Sequence, residues 1–268
     1  MSAVAHRRPA WSVPELGAES VPWPRGWPEV LTREWAWGGS TGKGVRVCIL
    51  DSGVEAGHRR IGPVEQAYVV AEDGAVREDD AVDAIGHGTA CAGIVRALAP
   101  ECELVSVRVL GGGLRGTGPV LLAGLRFAIE QGFEVVNLSL STAKLELARL
   151  LHDLADSAYF RRTVIVAAAH NLPVESFPWK FASVISVGSH AGADPLEFFY
   201  NVEPPVEFFA RGILVDVPWK DGGEMRVSGN SFATPHVAGL AALVLGKHQR
   251  LTPFQLKTVL YLTASNVT

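Results

Sequence analysis

The residues that could do chemistry stand in three short stretches rich in small residues. Gly229-Asn230-Ser231-Phe232-Ala233-Thr234-Pro235-His236-Val237-Ala238-Gly239 delivers a serine ahead of an apolar run that ends at Leu245. Gly86-His87-Gly88-Thr89 delivers a histidine ahead of Ala90 to Leu98. Asp51 follows the apolar run Val45 to Leu50 and precedes Ser52-Gly53. A serine hydroxyl is a weak nucleophile until a base takes its proton, and a neutral imidazole suits that task near pH 7. The imidazole in turn needs a carboxylate that holds its tautomer and stabilises the cation that forms. Together the three would carry acyl transfer. Ser231 alone has a second reading as a helix N-cap, where serine is common.

The elements around these residues place them consistently. Val45 to Leu50 reads as a strand buried on both faces, with Asp51 at its carboxyl end, where open α/β sheets keep their functional groups. His87 and Ser231 each open a helix, where free N–H groups favour developing negative charge. Further strands are expected over 104–110, 134–141, 163–169, 183–188 and 213–217, with helices over 119–131, 145–159 and 252–263. Thr252-Pro253-Phe254-Gln255 is a capping box with proline at the first helical position. Strands alternating with helices predict a single α/β domain, a mostly parallel twisted sheet with helices on both faces. Residues 1–40, rich in Pro and Trp, read as an extended segment with a short helix over 28–35. The acidic stretch 54–84 reads as an irregular solvated loop, with a cation site as the alternative.

Bulk composition excludes several classes. Hydrophobic residues make up 48% and charged residues 19% of the 268, a globular balance. The net charge of −4 with scattered basic residues offers no nucleic-acid footprint. The run Val237 to Leu245 is too short to cross a bilayer. Arg7-Arg8 is followed by no apolar segment, and the cysteines number three, Cys48, Cys91 and Cys102. That pattern predicts reduced thiols in a cytoplasmic protein. His236 reads as structural, His58 and His152 as surface residues, and Cys91, one turn after His87, as packing beneath the imidazole.

The three stretches also resemble the motifs of the subtilases, the subtilisin-like serine proteases. Leu50-Asp51-Ser52-Gly53-Val54, His87 to Gly93 and Gly229 to Gly239 are similar to the family's aspartate, histidine and serine motifs, in the family's order. Val107 to Leu110, Val136 to Ser139 and Ala168 to Asn171 resemble blocks between them, and the likeness runs from about Val21 to Thr263. The resemblance implies a subtilisin-like fold over 21–268, after an N-terminal extension of residues 1–20. It implies a peptide-hydrolysing enzyme with Asp51, His87 and Ser231 as triad and Asn171 as oxyanion-hole side chain. It places an extended peptide substrate between Gly116-Thr117-Gly118 and Leu138-Ser139-Leu140, as an added strand. Ser141, Ala169, His170 and Ser176 fall where the family builds its specificity pocket.

Four departures from the family pattern shape the expectation. Only about 20 residues precede the likeness, so no long prodomain is expected, and Trp11 to Leu16 could serve as a short inhibitory arm. The stretch from the His87 helix to Val107 leaves no room for the loop with which many relatives bind calcium, so no metal and no other cofactor is expected. Ser141 and His170 replace glycines, which narrows the pocket or makes it polar and favours a dedicated processing enzyme. Asn230 replaces threonine beside the nucleophile, still able to hydrogen-bond near the oxyanion, and Phe232 replaces methionine. Two alternatives remain: transfer of the acyl group to a peptide amine, as in subtilase-like macrocyclases, and a pseudoprotease that only binds peptides.

Overall fold

The computed structural model describes residues 27–267. Of these, residues 32–267 belong to one compact unit, and residues 27–31 hold no helix or strand. The extension over 1–20, its boundary at 21 and the arm at Trp11 to Leu16 lie outside the described residues.

A nine-stranded sheet organises this unit. Its strands are β1 (Arg46–Asp51), β2 (Gln66–Val70), β3 (Val76–Glu78), β4 (Glu103–Arg108), β5 (Val135–Leu138), β6 (Val164–Ala168), β7 (Ile185–His190), β8 (Phe198–Tyr200) and β9 (Phe208–Arg211). The spatial order is β3-β2-β4-β1-β5-β6-β7-β9-β8. Only the edge strands β3 and β8 run antiparallel to their neighbours. After β1 the chain places β2 and then β4 on one side, with β4 next to β1, and continues outward through β5, β6 and β7 on the other. The carboxyl ends of β1 and β5 therefore flank a topological switch point, the usual seat of function in such sheets. A separate hairpin, β10 (Val215–Trp219) and β11 (Gly223–Val227), stands beside the sheet.

Helices cover both faces. On one, α3 (Gly118–Glu130) and α4 (Ala148–Phe160) bury Leu125, Ile129, Leu151 and Ala155 against Cys48, Leu50, Val107, Val136 and Ile165. On the other, α2 (His87–Leu98) packs on α5 (Asn230–Lys247). Both are rich in Ala and Gly, and a Cβ on Gly239 would stand 2.9 Å from Leu98, so the two helices approach closely. The short helix α1 occupies Arg33–Trp37, capped by Thr32, slightly later than the expected 28–35. The final helix α6 (Pro253–Thr263) carries the expected capping box at Thr252 and Gln255.

The segment 54–84 departs from its reading as a loop. It supplies β2 and β3 at the sheet edge, where mixed exposure and short length weaken the strand pattern. Several of its acids are engaged: Asp79 pairs with Arg108 at 2.8 Å, Asp73 accepts from Ala75 N, Glu55 accepts from Asp221 N, and Asp83 lies near the site described below. His58 is buried rather than at the surface, because its Nε2 bonds Gly223 O at 2.9 Å under the β10–β11 hairpin.

Candidate active site

Asp51 ends β1 and is fully buried. Its Oδ1 accepts from Ser52 N at 2.7 Å and from His87 Nδ1 at 2.8 Å, with Oδ2 3.0 Å from the same ring nitrogen. Nδ1 is thus the donor, which leaves Nε2 as the basic nitrogen. Burial of the ring is the largest influence and opposes its charged form, but the Asp51 carboxylate and Cys91 together outweigh it and hold the His87 pKa above the ordinary imidazole value. The Phe232 ring packs 5.1 Å from the imidazole, centroid to centroid.

The start of α2 is pressed against the turn that leaves β1. Gly86 has φ +115°, which favours glycine, and a Cβ on Gly88 would stand 2.0 Å from Gly53 O. Asp83 locks this junction. Its Oδ1 accepts from Ser52 Oγ, Ile85 N and Gly86 N at 2.8, 2.9 and 2.7 Å. Its Oδ2 accepts from Thr89 N and Thr89 Oγ1 at 2.8 and 2.7 Å. A carboxylate there satisfies N–H groups of the first turn and complements the helix dipole. Reading the sequence misses Asp83; a carboxylate four residues before His87, ahead of a helix start, was the available signal.

Ser231 is the second residue of α5 and half-buried. Its Oγ has no hydrogen-bond partner among the described residues; bonds of this kind often tighten only once substrate is bound. Beneath it, Pro235 lacks the N–H that would bond Ser231 O inside the helix. Ser139 Oγ donates to that oxygen at 2.8 Å and Cys91 Sγ at 3.6 Å. Cys91 Sγ is also 4.0 Å from His87 Nδ1, so the thiol lies below both groups. Its burial pushes its pKa up. His236 is buried, donates from Nδ1 to Phe232 O at 2.9 Å and is held neutral, its pKa lowered by burial to about 4.

Asn171 follows β6 and accepts from Asn230 N at Oδ1, 3.0 Å away. The place a Cβ on Gly229 would fill lies 3.4 Å from Ser231 Oγ and 3.6 Å from Asn171 Nδ2, so both groups border one small volume. Asn230 differs from expectation. Its side chain is held by Ser189, Ala169 and His170 rather than being left to bond near the oxyanion.

A cleft of about 400 Å³ joins these groups. His87, Ser231 and Asn171 line it together with Gly116, Thr117 and Gly118 on one wall. Ser139, Leu140, Ser141, Ala169 and His170 line the other. Gly118 is already the first residue of α3, and Thr117 caps that helix. Leu138 and Ser176 do not line the cleft. Leu138 is buried in β5, and Ser176 is fully buried with its Oγ accepting from Trp179 Nε1 at 2.7 Å. Thr142 and Phe177 exchange main-chain hydrogen bonds of 2.9 Å, joining the wall beyond Ser141 to the segment after Ser176. Among the described residues one group could present three ligand atoms to a metal ion: Asp51, His87 and Cys91, within 4.8 Å of one another and all buried.

Residues 42–268 match the subtilase family. The chain belongs to the subtilases. It is 33% identical to subtilisin DY of Bacillus licheniformis over 244 residues, 85% of this chain and 86% of that one. It is 32% identical to subtilisin BL of Lederbergia lenta over 261 residues, 93% of each chain. The crystal structure of a cold-adapted subtilisin-like serine proteinase superposes with a TM-score of 0.69 at 28% identity, covering 85% of this chain and 87% of that one. As a subtilase the protein is a serine-type endopeptidase, and peptides are its substrates. No helix among the described residues is long and apolar enough to cross a membrane.

Proposed function

We propose that Ser231 is the nucleophile of this subtilase, His87 its general base and Asp51 the carboxylate that orients the base. The observation that carries this reading is the buried contact between His87 Nδ1 and Asp51 at 2.8 Å, beside a cleft that both His87 and Ser231 line. Ser231 Oγ attacks the scissile carbonyl while His87 Nε2 takes its proton. Asp51 stabilises the imidazolium, which then returns the proton to the leaving amine. The oxygen that becomes negative is received by Asn171 Nδ2 and Ser231 N–H, a first-turn amide without an intrahelical acceptor. Water then releases the acyl group.

The substrate backbone enters between Gly116-Thr117-Gly118 and Ser139-Leu140-Ser141. Ser141 and His170 give the adjoining pocket polar walls, which supports a narrow preference and a dedicated processing role. Cys48, Cys91 and Cys102 are buried, unpaired thiols, which supports a reducing, cytoplasmic setting.

Digestion of a peptide library read by mass spectrometry, with Ser231→Ala as the blank, tests the proposal. Products carrying one added water per cut, clustered on few sequences and lost in the variant, are expected. Products that have lost water would mean transfer to an amine, and no products would mean binding alone.

A further inference from the structure

We propose that Asn230 is a positioning residue that fixes the oxyanion donor Asn171, from its main chain and its side chain at once. The proposal rests on the reading of Asn171 as that donor. A backbone N–H can only donate, so Asn230 N, 3.0 Å from Asn171 Oδ1, dictates which end of the Asn171 carboxamide faces it. Nδ2 is left as the end able to donate to a substrate oxygen.

The Asn230 carboxamide is itself fixed at both ends. Its Oδ1 accepts from Ser189 N and Ser189 Oγ, each at 2.9 Å. Its Nδ2 donates to Ala169 O at 3.1 Å and to His170 O at 3.4 Å. Those carbonyls belong to the two residues directly before Asn171. The side chain thus ties the end of β6 to β7, while the N–H of the same residue sets the amide that follows. Alanine can make none of the side-chain bonds. Aspartate, of the same shape, keeps the acceptor for Ser189 but turns a second oxygen toward Ala169 O and His170 O.

The test is a double-mutant cycle on the purified protein, with active sites titrated by a fluorophosphonate so that kcat is read per competent Ser231. Removing an oxyanion donor costs about 10²–10³ in turnover, and misplacing one should cost part of that. Asn230→Ala should therefore lower kcat by about 10- to 100-fold while KM moves less than about threefold. In an Asn171→Ala background the same substitution should cost less than about threefold. Asn230→Asp should repeat the pattern, and it carries the cycle if the alanine variant does not fold. A role confined to stability would lower the melting temperature and the titrated fraction but leave kcat per site unchanged, and that result overturns the proposal. An equal loss with and without Asn171 overturns it too. If Asn171→Ala alone leaves kcat unchanged, the oxyanion assignment itself falls.

Discussion

Ser139 Oγ donates a 2.8 Å hydrogen bond to the carbonyl of Ser231, the acceptor left open because residue 235 is a proline. Asn137 Nδ2 donates to the same Oγ at 3.0 Å, so a buried chain of polar groups runs from β5 to the start of α5. Ser139→Ala would leave the carbonyl with only the weak Cys91 donor. It should destabilise the fold by about 1–3 kcal/mol, read by urea unfolding. Pro235→Ala restores an N–H for the same oxygen and should shrink that loss. An equal loss in both backgrounds would show that Ser139 does not act through the Ser231 carbonyl.

The acid limb of activity should lie high. The working form of His87 is neutral, and the Asp51 carboxylate raises its pKa, so the ring keeps its proton as pH climbs past the usual imidazole range. kcat/KM for a neutral peptide should therefore rise with pH through a midpoint above about 6.5. A midpoint at or below that value would count against the Asp51–His87 pairing.

Cys91 should make the enzyme sensitive to soft metals. Its Sγ touches Ser231 O and approaches His87, so mercuric ion bound there would displace the imidazole. Inhibition by mercuric ion is expected, and the remaining activity of Cys91→Val should resist it. Equal sensitivity in the variant would place the target at Cys48 or Cys102.

Arg96 should hold the segments around the end of α2 together. Its guanidinium donates to Ile61 O, Pro63 O, Pro100 O and Cys102 O at 2.9, 3.0, 2.8 and 2.7 Å. This cluster lies at the end of α2, which runs unbroken from His87 to Leu98. Arg96→Ala should cost on the order of 3 kcal/mol, since several charge-assisted bonds are lost together. EDTA should leave the melting temperature of the unaltered protein within about 2 °C, less than about 1 kcal/mol for a chain of this size. A large fall on chelation would show that a metal is required.

Much of this was legible in the sequence because chemistry and secondary structure change at the same places. Asp51, His87 and Ser231 each sit where an apolar run meets small residues, so strand ends and helix starts located them. Strands β2, β3, β8, β9 and β11 were not legible: they are short and partly exposed, and β3 reads only Val76-Arg77-Glu78. Partners far apart in sequence were hidden as well. Ser139 meets Ser231 across 92 positions, and Asp83 reaches Ser52 across 31, through sheet register that no local pattern encodes. Asn230 was visible as an unusual neighbour of the nucleophile, but the direction of its amide depends on Ser189 and Ala169.

The most direct test of Ser231 as the nucleophile is to label the folded protein with a fluorophosphonate and map the modified residue by mass spectrometry. One adduct per chain is expected, on Ser231, with labelling abolished in Ser231→Ala and slowed by about 10³-fold or more in His87→Ala. An adduct on another residue, or peptide cleavage by Ser231→Ala at the rate of the unaltered protein, would contradict that role.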